Sequence, residues 1–201
     1  MLDLEPATSA LAAVIGRVSD DRLGDPTPCT DTTVGDLIDH VDSFCVAFTA
    51  AARKTPLPRP APAPAPSGAR LGVDWRSRIP GRLRELAEAW RDPHAWQGMT
   101  EAGGVQMPGE LTGAVALDEV IVHGWDIAVA TGQRFSCPDD LVHVAYGFVE
   151  QTVAANPTGT PGLFGPPLAL PESAPLLDRL IGLTGRRPEW PEPGESRDAG
   201  V

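Results

Sequence analysis

Apolar residues recur along this chain at the three-to-four-residue spacing of helices, and no alternating run is long enough to predict a sheet. Leu4, Leu11, Val14, Ile15 and Val18 keep helical register until Pro26-Thr27-Pro28 breaks it, which predicts a first amphipathic helix at about 6 to 21. A second begins after Asp31-Thr32-Thr33, where Thr33 and Asp36 have the spacing of a capping box. Val34, Leu37, Ile38, Val41, Phe44, Cys45 and Phe48 then form one stripe that runs to about Arg53. Trp75, Ile79, Leu83, Leu86 and Trp90 predict a third helix, with Pro80 marking its start or a kink. The fourth, about 110 to 131, is the most apolar and ends at Gly132, a left-handed cap by its position. Ser136-Cys137-Pro138-Asp139 opens a fifth helix with Leu141, Val144, Ala145, Phe148, Val149 and Thr152 in register, and Ala174 to Thr184 predicts a short terminal helix closed by Gly185.

The connections carry information too. Residues 55 to 73 are dense in Pro and Ala, a composition that cannot hold a helix and favours extended polyproline conformation. At about 3.1 Å per residue such a segment reaches about 50 Å, enough to cross a bundle lengthwise and let helices two and three run parallel. A surface loop without that role fits the composition equally well. Residues 97 to 109 carry Gly98, Gly103, Gly104, Pro108 and Gly109, which predicts turns or a short hairpin. The expected organisation is all-α, with one domain over 1 to 190 and a disordered tail over 191 to 201.

Charge narrows the function. A formal net charge of -11 and an isoelectric point near 4.7 oppose binding to nucleic acid or to an anionic membrane. The acidic start lacks the basic and apolar regions of a signal peptide, and no apolar run approaches the roughly 18 residues of a membrane span. Three cysteines, Cys29, Cys45 and Cys137, are odd in number and have no Cys-x-x-Cys spacing. They read as reduced thiols of a cytoplasmic protein, none of them a nucleophile, with Cys29 beside Pro28 the most open to question.

Chemistry concentrates on the fourth helix. Glu119 and His123 are one turn apart, Asp126 falls on the same face, and Val115 and Val122 make that face an inward one. Ionisable groups placed there need partners, and a divalent cation supplies one. His40, at the margin of the apolar arc of helix two, can meet them across a bundle. Two imidazoles and a carboxylate are a catalytic zinc set with an open fourth position, although a Glu-x-x-x-His pair is also an ordinary surface contact or a satisfied core pair. His94 and His143 fall on solvated positions.

Pro26-Thr27-Pro28-Cys29, Val34-Gly35-Asp36-Leu37-Ile38-Asp39-His40-Val41 and Glu119-Val120-Ile121-Val122-His123-Gly124-Trp125-Asp126 resemble the actinobacterial metal-binding proteins related to mycothiol-dependent maleylpyruvate isomerase, within the DinB-like, YfiT-like superfamily. The resemblance runs through Ala89-Trp90-Arg91-Asp92-Pro93, Phe164-Gly165-Pro166-Pro167 and Leu177-Asp178-Arg179-Leu180 to about Trp190. It implies a four-helix bundle with a long crossover after helix two and a short extra C-terminal helix. His40, Glu119 and His123 are implied as the metal triad, binding zinc, nickel, iron or manganese, zinc being preferred.

The activity so implied is that of a mycothiol-dependent S-transferase or isomerase, with a small-molecule thiol and an electrophile as partners and Asp126 as the candidate catalytic residue, orienting an imidazole or receiving a proton. A non-enzymatic metal-dependent binding or stress-response protein, and a purely structural polar network, are the rival readings. Monomer and homodimer both fit. Thr32 stands where the family often has an aromatic residue. The chain is also expected to lack the additional C-terminal domain of the isomerase, so activity on maleylpyruvate does not carry over by resemblance alone.

Overall fold

The computed structural model describes residues 2–55, 57, 65–160 and 162–191. Among the described residues six α-helices carry the architecture: α1 (Glu5–Gly16), α2 (Val34–Ala52), α3 (Trp75–Ala89), α4 (Gly109–Ala130), α5 (Asp139–Ala155) and α6 (Leu176–Leu183). The first four pack as a bundle, α1 against α3 and α4 and α2 against α3 and α4, while α5 lies on α4 and α6 on α5. Leu11, Ile15, Leu37, Ile38, Ile79, Leu83, Leu86, Leu117 and Ile121 are fully buried at its centre. A core built from aliphatic side chains matches the predicted stripes of all four helices.

Contacts between helix ends give the directions. Gln133, just past α4, donates to the Val14 carbonyl at the end of α1, and Arg22 donates to Ala130, so α1 and α4 are parallel. Arg91 after α3 pairs with Asp3 before α1, which makes those two antiparallel. Gly68 N–H donates to Asp36 Oδ1 and Ser67 N–H to Asp39 Oδ2, both on the early turns of α2, and Lys54 at the far end of α2 reaches the carbonyls of Ala95 and Gln97 beyond α3. The chain leaving α2 has therefore returned along its whole length before α3 begins, and α2 and α3 are parallel, as the length of the crossover allowed. A side chain at Gly35 would come within 3.3 Å of the Gly68 Cα and 3.1 Å of the Leu23 carbonyl oxygen, so glycine lets the returning chain dock backbone against backbone. Residues 56 and 58–64, where the polyproline expectation mostly falls, lie outside the described residues, as do residues 192–201 of the expected tail.

The local signals had mixed outcomes. Thr33 and Asp36 form the reciprocal capping box, with Thr33 Oγ1 accepting from the Asp36 N–H and Asp36 accepting from the Thr33 N–H. The hairpin is real: β1 (Met99–Ala102) pairs antiparallel with β2 (Val105–Pro108) across Gly103-Gly104, whose φ of 59° and 87° suit a two-residue turn. Helix α1 stops at Gly16 rather than near 21, and a separate 3₁₀ turn at Asp20–Arg22 follows; Val18 is buried without being helical, which is why the apolar pattern overran. Pro80 lies inside α3, where it cannot donate to the Arg76 carbonyl. Ser136 does not cap α5, which starts at Asp139 with the Pro138 carbonyl accepting from Leu141 and Val142.

Candidate metal centre

Helix α2 is amphipathic with a narrow polar margin, and His40 occupies that margin between Leu37 and Phe44, where α2 faces α4. Because α4 is crossed by α2 on one face and covered by α5 on another, most of its side chains are buried. Asp118, Glu119, Val122 and His123 form one contiguous strip of α4 and line a cavity of about 310 Å³ together with Leu37 and His40. Cys29, Thr32, Pro66, Gly162, Leu163, Phe164 and Arg186 complete its wall. Four further stretches of chain thus close around this part of the α2/α4 contact.

Within the cavity one carboxylate oxygen serves two imidazoles. Glu119 Oε2 lies 3.1 Å from His40 Nε2 and 3.1 Å from His123 Nε2. The potential ligand atoms of the three residues are all within 4.8 Å of one another. A tetrahedral ion with bonds near 2.05 Å holds its donors roughly 3.3 Å apart, so small side-chain adjustments would suffice. The two imidazole rings meet edge to face at a centroid distance of 5.0 Å, and Phe44 stacks on His123 at 6.4 Å. The His40 side chain is 34% exposed against 12% for His123, so a molecule entering the site passes His40 first.

Behind the trio lies a second layer. His123 Nδ1 is 3.0 Å from Asp126 Oδ2, and Arg186 Nε donates to Asp126 Oδ1 at 2.7 Å. Asp126 is fully buried and absent from the cavity wall, with both its oxygens engaged. That placement suits it to orienting His123, one of the two roles expected of it. Burial disfavours the Glu119 charge, yet hydrogen bonds from His123 and His40 overcome it and hold the carboxyl well below its usual range. Burial likewise opposes charging His123, but Asp126 and Glu119 raise it to about 10. Asp126 also stays low, because Arg186 and His123 outweigh its desolvation. Arg186 is in turn held charged by Asp126 against the cost of its burial.

Two polar residues beside the trio were not picked out by the sequence patterns used above. Arg186 stands in a loop after α6 where no periodicity distinguishes it from Arg187, and only the fold reveals that it is buried. Asp118 is fully enclosed, and desolvation followed by repulsion from Glu119 pushes its carboxyl well above the ordinary value. An aspartate between Leu117 and Val120 on an apolar helix was the available clue. His94 and His143 are not part of the site: His143 bonds to the Asp139 carbonyl, and neither lines the cavity.

Comparison with known proteins widens the view. The family described as the mycothiol maleylpyruvate isomerase N-terminal domain matches residues 4–128. Uncharacterized proteins from two strains of Mycobacterium tuberculosis are each 30% identical to this chain over 189 residues, covering 90% of it and 93% of their own length. The crystal structure of the mycothiol-dependent maleylpyruvate isomerase superposes with a TM-score of 0.66 over 91% of this chain and 86% of that one, at 19% identity. At that identity the likeness concerns the fold, and it bears out the DinB-like helical bundle expected from the sequence.

Proposed function

The chain belongs to the mycothiol maleylpyruvate isomerase N-terminal domain family, and from that premise we propose that it is a metal-dependent thiol enzyme, an S-transferase or isomerase acting with mycothiol. The observation that carries the reading is the convergence of His40, Glu119 and His123 on one side of a cavity large enough for a small molecule. Two imidazoles and a carboxylate suit zinc, nickel, iron or manganese, with zinc the first expectation.

His40 and His123 would hold the cation through Nε2 as neutral imidazoles, and Glu119 would hold it through a carboxylate oxygen. A divalent cation held there supplies the positive charge that keeps a thiol ionised at neutral pH. Asp126 fixes the His123 ring by accepting from Nδ1, which leaves Nε2 directed at the site, and Arg186 keeps Asp126 ionised in its buried position. Leu37, Val122, Leu163 and Phe164 give the cavity apolar walls that limit water around the reacting sulfur. The electrophile then approaches from the open side beside His40.

Metal analysis of the purified protein, followed by calorimetric titration with mycothiol before and after chelation, tests the proposal. Binding of about one divalent ion and thiol affinity that disappears with the metal are expected. Equal thiol affinity with and without metal would remove the role assigned to the trio, and metal binding without thiol binding would leave a non-enzymatic metal protein.

A further inference from the structure

The cavity wall contains a buried carboxyl oxygen without a hydrogen bond. Asp118 is 4% exposed and its Oδ1 has no hydrogen-bond partner among the described residues. Other enclosed carboxylates are provided for: Asp36 has Thr33 and Gly68, Asp39 has Arg70 and the Ser67 N–H, Asp126 has His123 and Arg186, and Asp42, whose Oδ1 also lacks a hydrogen bond, is ion-paired with Arg82 and Arg78. Leaving a buried carboxyl oxygen unpaired weakens the fold, and native proteins rarely tolerate it without a return elsewhere. Leu37, Val122, Leu163 and Phe164 share the wall with Asp118 and offer no side-chain partner, and Arg186 and His123, close enough to act on its charge, leave its Oδ1 without a hydrogen bond. A molecule in the cavity would offer one.

We propose that Asp118 is the anchor for a hydroxyl or amide group of the thiol bound in this cavity, and so selects hydroxyl- and amide-bearing thiols over plain alkyl thiols. The inference rests on the thiol reading of the site and adds to it the residue that recognises the part of the ligand remote from sulfur. Hydroxyl and amide groups each contain a donor and an acceptor, so either satisfies the Asp118 carboxyl whichever way the hydrogen bond runs. Asp118 and Glu119 are consecutive on α4 and both line the cavity, which lets one molecule reach the metal trio with its sulfur and Asp118 with a neighbouring group. A site built around a hydrogen bond rejects an analogue lacking that group strongly, because the protein's own polar atom is then left unpaired.

The test compares zinc-loaded wild-type protein with Asp118→Leu, Asp118→Ala and Asp118→Asn, by calorimetric titration with mycothiol, which carries hydroxyls and amides, and with 1-propanethiol, which carries neither. Asp118→Leu should weaken mycothiol about tenfold or more while changing propanethiol less than about twofold. Its melting temperature should hold or rise, since the unpaired oxygen is gone. Asp118→Ala needs no additional room and must show the same selectivity if the leucine variant does not fold. Asp118→Asn keeps a donor and an acceptor and should retain mycothiol affinity to within about threefold. Equal weakening of both thiols, with a lower melting temperature, would make Asp118 a scaffold residue and overturn the proposal, as would no weakening of either. Failure of the wild-type protein to bind any thiol would instead bring down the thiol reading and this assignment with it.

Discussion

Removing the Asp126 carboxylate should damage the protein in two separable ways. Asp126 is completely buried, and the Arg186 side chain that pairs with it at 2.7 Å is 8% exposed. Asp126→Ala therefore leaves a guanidinium enclosed without a counter-charge, and breaking a buried pair by deleting one partner costs about 3–5 kcal/mol. Against a total stability of about 5–15 kcal/mol this is severe. For a chain of this size it lowers the melting temperature by about 6–20 °C. The same change frees the His123 ring by removing the acceptor at Nδ1, and loss of such a partner weakens metal affinity by about 10–100-fold. The double variant Asp126→Leu/Arg186→Met separates the effects. Deleting both charges should restore at least about 2 kcal/mol of stability, because no unpaired ion remains. Metal affinity should stay low, because His123 is still unsupported. Chemical denaturation of the chelated proteins gives the first quantity and competition with a chromophoric chelator gives the second. A double variant no more stable than Asp126→Ala would refute the ion-pair argument, and recovery of metal affinity along with stability would refute the orienting role.

Three further outcomes follow from the same structure. Burial holds the Cys45 thiol far above its ordinary range and pushes Cys137 up to about 12, so in native protein a disulfide reagent at pH 8 should label Cys29 well before either of the others; comparable rates at all three would show that the enclosure is wrong. The hydrogen bond from Thr33 leads the causes that lower the Asp36 carboxyl, so its contribution to stability is present above its unfolded value and lost as pH falls through the lower folded one; Asp36→Asn should cost about 1 kcal/mol at pH 7 and nearly nothing in strong acid, and a cost independent of pH would argue against the carboxylate cap. A side chain at Gly124 would meet the Phe135 ring at 2.4 Å, so Gly124→Ala should destabilise by about 1–3 kcal/mol in thermal unfolding, and a neutral result would mean that the ring yields freely.

Helices and the Glu119/His123 pair were legible because each signal is local, whereas His40 joined them as a third ligand through the family resemblance. Thr33 and Asp36 lie within one helical turn, Glu119 and His123 within another, and the apolar stripes of α2 and α4 repeat often enough to fix their inward faces. The parallel course of α3 was only one of two readings of the proline-rich segment, whose composition fitted a surface loop equally well, and the contacts at the two ends of α2 decide between them. The residues missed depend on what the chain packs against after it has folded. Val18 is apolar because it is buried, not because it is helical, and periodicity does not separate the two. Arg186 looks like one of two adjacent loop arginines until α6 delivers it beneath α4. Asp118 differs from a solvated aspartate only by the α2 and C-terminal residues that enclose it.

The division of the cavity between early and late chain bears on where specificity resides. His40, Glu119, His123 and Asp126 all fall inside residues 4–128, the part that matches the family, and so do Asp118 and Cys29. Gly162, Leu163, Phe164 and Arg186 add to the wall from beyond that match. Two helices of the bundle can thus present the donor set and its orienting carboxylate, but the buried charge of Asp126 is balanced only once the segment after α6 has docked. The proposed metal ligands accordingly lie in the shared part of the fold, whereas the later segment supplies an apolar part of the wall that the rest of a ligand would meet. Substitutions at Leu163 or Phe164 should therefore shift ligand preference while leaving metal affinity within about twofold, since neither touches the donor set or its support. A Leu163→Ala variant that lost metal as readily as His123→Ala would place the later segment in the donor scaffold itself and undo that division.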